Sequence, residues 1–151
     1  MFDKRARAGG AVVLVLVLAS GVGFAALMQH TEATIPIPEG GVATSLKSLS
    51  YKSRRFEASI ATVTLTVKSE EGADPALVDW TFTGSNTDGQ VHRVEMQVRL
   101  LDESGKQIGW ATGKYAVRAG ASGEPFTISM KVKADVWRAA KKARIFADWL
   151  S

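Results

Sequence analysis

Cysteine is absent from the 151 residues. Disulfides, thiolate catalysis, cysteine-based zinc sites and a lipidated-cysteine anchor are therefore excluded. Histidine occurs only as His30 and His92. Neither lies in an HxH, HxxH or HExxH spacing, so no metal-binding motif is present. No serine sits in a GxSxG setting, and the glycines match neither a P-loop nor a dinucleotide fingerprint. Charge of one sign is scarce too: 19 Lys and Arg stand against 15 Asp and Glu. About half of the small excess belongs to Lys4, Arg5 and Arg7 set against Asp3. The remainder has no basic surplus of the kind that nucleic acid would require. Acidic residues such as Glu70, Glu71, Asp74, Asp88, Asp102 and Glu103 are scattered through turn-like stretches, where solvation explains them. No cofactor is expected, and no enzymatic activity.

Long apolar runs are also missing, with one exception. Gly9 to Met28, GGAVVLVLVLASGVGFAALM, carries no charge. As a helix it would span roughly 30 Å, the thickness of a bilayer's hydrocarbon core. The basic residues ahead of it, with none after it until Lys47, place the N-terminus in the cytoplasm. Two readings of the run are open. It is a retained transmembrane helix, or a signal peptide cleaved after Gly23-Phe24-Ala25. The apolar character continues through Met28, past that cleavage site, which favours retention. The chain then divides into a cytoplasmic tail (1–8), a membrane segment (9–28), an extended linker (29–43) and a folded domain (44–151). Pro36 and Pro38 suit a polyproline-like path for the linker.

Beyond the linker the pattern has period two, the signature of half-buried strands. Leu46, Leu49 and Tyr51 suggest a first strand with imperfect phase. Ala61, Val63, Leu65 and Val67 alternate with threonines and a lysine. The inward set is expected to be Val63, Leu65, Trp80, Phe82, Val94, Met96, Val98, Leu100, Phe126, Ile128 and Met130. Turn-forming clusters separate these runs. Ile108 and Trp110 fall in one phase, Tyr115 and Val117 in the other, so a β-bulge is expected at Gly113 between them. Near the C-terminus, a helical face through Val136, Trp137, Ala140 and Ala143 competes with a strand alternation through Ala143, Ile145, Ala147 and Trp149. The favoured reading is one helical turn over Asp135 to Ala140, then a strand over Lys142 to Leu150. Six or seven short strands without intervening helices predict an all-β antiparallel sandwich.

The run Asn86 to Lys106, NTDGQVHRVEMQVRLLDESGK, resembles the middle of bacterial FxLYD-type domains, which are similar to LEA14-like and other immunoglobulin-like sandwiches. The family's asparagine falls on Asn86, its alternating strand on Val94 to Leu101, its aspartate on Asp102 and its turn glycine on Gly105. Val98 and Leu101 stand where the name motif has phenylalanine and tyrosine. The resemblance covers Ala76 to Val132. It implies an immunoglobulin-like sandwich and no catalytic residues.

The tryptophans and the last strand carry what functional signal there is. Trp80 shares its phase with core positions, whereas Trp110 is a candidate surface aromatic. The terminal segment combines Trp137, Phe146 and Trp149 with Arg138 and Arg144, residue types enriched at interface hot spots. With Lys141 and Lys142, the two arginines also form a basic cluster. These features predict a bacterial inner-membrane protein held in the bilayer through Gly9 to Met28, with its domain in the periplasm. Its expected role is a non-enzymatic accessory or interaction subunit contacting another membrane or periplasmic protein. The alternative is a carbohydrate- or cell-wall-binding module using exposed tryptophans.

Overall fold

The computed structural model describes residues 12–18, 25–52 and 57–150. They form strands β1 (Val12–Leu18), β2 (Ala25–Pro36), β3 (Ala43–Lys52), β4 (Glu57–Val67), β5 (Ala76–Asn86), β6 (His92–Leu101), β7 (Gln107–Val117), β8 (Glu124–Val132), helix α1 (Ala134–Ala139) and strand β9 (Lys142–Leu150). Two antiparallel sheets pack as a sandwich. One has the order β1-β2-β9-β6-β7, the other β3-β4-β5-β8. The helical turn and terminal strand stand where the sequence places them.

The alternation of apolar and polar residues decides which side of each strand is buried, because a slip of one residue would turn every apolar side chain into water. Of the predicted inward set, Val63, Leu65, Trp80, Phe82, Val94, Met96, Val98, Leu100, Ile128 and Met130 are buried, and Phe126 is half-buried against them. The phase breaks have local causes. A register shift between Ser45 and Leu49 lets Leu46, Leu49 and Tyr51 all point inward despite their spacing. A second shift, between Ile60 and Thr62, leaves Ala61 exposed although it continues the alternation on paper. The bulge expected at Gly113 is absent. The β6–β7 register instead slips between Leu100 and Leu101, where Ile108 is skipped, and Gly113 pairs regularly with Met96.

Gly113 has a different reason to be glycine. A Cβ there would lie 3.1 Å from Ile128 Cγ1 and 3.2 Å from Tyr115 Cε2. The space holds the Tyr115 ring, whose centroid is 3.8 Å from that of Phe126. The Tyr115 hydroxyl donates to the Thr127 carbonyl and so joins β7 to β8 across the side of the sandwich. Burial pushes that hydroxyl above its ordinary pKa, which keeps it a donor.

The part of the expected linker up to Pro36 is a strand. Its extended backbone is paired with β9 from Met28 opposite Leu150 to Pro36 opposite Lys142. Alternating Thr31 and Ala33 are buried, which gives residues 29–36 an inner face. Of the run expected to cross a membrane, residues 9–11 and 19–24 lie outside the described residues. Val12–Leu18 is extended and paired with residues 25–31 of β2. Among the described residues, no helix is long and apolar enough to cross a membrane.

The sandwich has two distinct ends. At the near end, Leu150 pairs with Met28 on one side and Arg93 on the other. At the far end, Lys142 pairs with Pro36 and Leu101, and α1 links the sheets. The nine residues of β9 separate the two ends by about 26 Å.

Candidate interaction surface

The terminal segment that the sequence marks as one contact region is divided by the fold among three places. Trp149 lies in the core at 0% exposure and is not a surface residue. The reason is position: β9 lies between β2 and β6, so its inner face, Ala143, Ile145, Ala147 and Trp149, is covered by the opposite sheet. Among the described residues, the buried indole N–H of Trp149, like that of Trp80, has no hydrogen-bond partner. Trp137 and Arg138 sit on α1 at the far end. There, with Val67, Ala76, Glu70 and Glu71, they line a cleft of about 590 Å³. Arg144 and Phe146 alternate onto the outer face of β9.

That outer face is organised in transverse rows, because residues paired across antiparallel strands share a side. Thr34, Arg144, Arg99 and Trp110 form one row. Glu32, Phe146, Gln97 and Thr112 form the next, and His30, Asp148, Glu95 and Lys114 the third. Phe146 is the hub. It is only 8% exposed although it faces outward. The Arg99 guanidinium covers its ring at 4.3 Å, and the His30 ring lies 5.2 Å from it on another side. Arg99 is held there by two hydrogen bonds from its Nε and Nη2 to Gln97 Oε1, at 3.2 and 3.0 Å.

His30 closes the near side of this cluster. Its Nδ1 is hydrogen-bonded to Asp148, and its Nε2 lies 3.2 Å from Glu32 Oε2. Carboxylates accept and do not donate, so both contacts are satisfied when both ring nitrogens carry protons. The bond to Asp148 raises the His30 pKa most, the bond to Glu32 adds to it, and burial opposes both. With each ring nitrogen facing a carboxylate, His30 offers no lone pair to a ligand.

No family model matches this chain, and no curated protein is recognisably similar to it.

Trp110 is the surface aromatic that the sequence anticipates, at 60% exposure. It stands on β7, an edge strand paired with β6 alone among the described strands. The neighbouring Arg99 carries no such signal. In sequence it is one of the polar positions alternating along β6, and only the pairing with β7 and β9 sets it between Trp110 and Arg144. The asparagine singled out by the family resemblance is structural. Asn86 is 1% exposed, and its amide ties the β5–β6 turn to the end of β7. Asp102 likewise shapes its turn. Its Oδ1 accepts from the backbone N–H groups of Ser104 and Lys106 and from the Ser104 hydroxyl, and Gly105 takes a φ of +85°. The Ser104 hydroxyl, followed by the Lys106 N–H, holds the Asp102 carboxyl below its ordinary pKa.

Proposed function

We propose that this protein is a membrane-anchored, non-enzymatic accessory subunit of a larger bacterial envelope complex. Gly9 to Met28 crosses the inner membrane with the N-terminus in the cytoplasm, and the sandwich, immunoglobulin-like in architecture, lies in the periplasm. The uncharged run and the basic tail before it support the anchor. Among the described strands β1 pairs with β2 alone, so β2 keeps its pairing with β9 from Gln29 to Pro36 if Gly9 to Met28 enters the bilayer. The near end then sits at the membrane and α1 points away from it.

One observation carries the interaction role: Trp110, largely exposed on an edge strand next to Arg99. A large exposed aromatic beside an arginine is the composition of a binding hot spot, and a free strand edge offers backbone groups to a partner. Tethering raises the effective concentration of a membrane neighbour, so modest intrinsic affinity suffices. The carbohydrate reading would need several rings on one open face. Trp149 is buried and Trp137 is half-buried against the core, which leaves Trp110 as the one largely exposed tryptophan among the described residues.

The test is a photoreactive phenylalanine placed at position 110 of the full chain in membranes, with the same group at the exposed Thr66 on β4 of the other sheet as control. A discrete protein adduct from position 110 and none from 66 is expected. Equal labelling from both positions overturns the reading. Intact mass of the purified protein tests the anchor, and a mature species beginning near Ala26 would refute it.

A further inference from the structure

We infer that the row Arg144, Arg99 and Trp110 is the docking site for an acidic segment of the partner protein, an inference that rests on the interaction role proposed above. The two arginines are directly opposed across β9 and β6, and Trp110 is directly opposed to Arg99 across β6 and β7. Like charges in directly opposed positions repel each other. Among the described residues, no carboxylate is bonded to either guanidinium. A carboxylate from outside that sits between them removes the repulsion and satisfies planar, bidentate donors.

The site is also prepared in advance. Gln97 and the Phe146 ring fix the Arg99 guanidinium before any ligand arrives. The freedom that a flexible side chain would lose on binding is thus already lost. Trp110, at 60% exposure, adds apolar area at the edge of the same row.

Other sources of negative charge fit less well. Arg144 lies six residues before Leu150, or about 20 Å along the strand from the near end. In the anchored orientation this keeps it away from lipid phosphates. A second copy of the chain does carry carboxylates on this face, at Glu32, Asp148 and Glu95. All of them lie one or two rows closer to the near end. Two copies rising side by side from one membrane would set arginine row against arginine row. The occupant is therefore a different protein that presents carboxylates at the height of Arg144.

The test uses the full chain in detergent micelles and a fluorescent peptide of about ten residues alternating glutamate and serine. A glutamine-for-glutamate peptide and inorganic phosphate serve as comparisons. The glutamate peptide is expected to bind in a salt-sensitive way. Arg144→Gln and Arg99→Gln should each weaken it by about fivefold, Arg144→Lys should weaken it less, and Arg93→Gln, on the same face at the near end, should leave it unchanged. Binding that is indifferent to Arg144 and Arg99, equal binding of the glutamine peptide, phosphate competing as well as the peptide at equal charge, or no binding overturns the inference. If the peptide fails while the position-110 adduct forms, the acidic-segment inference falls and the interaction role stands. If the peptide binds through the arginines but position 110 captures no protein, the interaction role falls, and with it a protein as the occupant.

Discussion

The side-chain amide of Asn86 donates to the backbone carbonyl of Val117 at 3.1 Å, joining the last residue of β5 to the last residue of β7 in the other sheet. The same amide donates to the Gln90 carbonyl at 2.8 Å, and its oxygen accepts from the Asp88 N–H at 2.9 Å. All the side chain's polar groups are used, at a position only 1% exposed. Asn86→Ala leaves these partners unsatisfied and should cost roughly 2–3 kcal/mol. Chemical denaturation of the variant checks this. A loss below half a kcal/mol would mean that water replaces the amide without penalty.

Trp149 and Trp110 should behave oppositely. Trp149→Ala empties a fully buried position and should destabilise the domain by about 3–5 kcal/mol. Trp110→Ala should shift stability by no more than about 0.5 kcal/mol, since it removes an exposed ring. Thermal melts of both variants test the pair. Equal losses would mean that Trp110 packs against more of the fold than its exposure indicates.

Gly113→Ala should destabilise the sandwich by about 1–3 kcal/mol through overcrowding. The added methyl would meet Ile128 at 3.1 Å and the Tyr115 ring at 3.2 Å. Adding Tyr115→Phe removes the hydroxyl that anchors the ring to the Thr127 carbonyl. The methyl's cost should shrink in that background, because the freed ring can move aside. A cost unchanged between the two backgrounds would place the crowding at Ile128.

The raised pKa of His30 has a definite sign. A group whose folded pKa lies above its unfolded value of about 6.5 stabilises fully below that value. Its contribution is lost as pH rises through the folded pKa. The neighbours that set this are Asp148 on β9 and Glu32 on β2. The melting temperature should therefore fall between pH 6 and pH 9, and the fall should be smaller in His30→Gln. A pH profile identical in the two proteins would show that the imidazole contributes nothing through protonation.

Period-two alternation in the sequence already determined the sandwich core. One face of each strand must leave water, and that demand is written locally, residue by residue. The helical turn before β9 and the turn at Asp102-Gly105 were legible for the same reason, since each depends on residues a few positions apart. The alternation of Ala143, Ile145, Ala147 and Trp149 was visible as well. What sequence could not show was that β9 lies between β2 and β6, so that Trp149 is sealed inside and Phe146 becomes the hub of an outer cluster. Nor could it show that Arg99 would stand between Arg144 and Trp110, because those residues come from three strands and meet only through long-range pairing. Local sequence sets which way a side chain points. Which strands become neighbours, and hence which outward side chains form one surface, is decided by the whole chain closing on a single core.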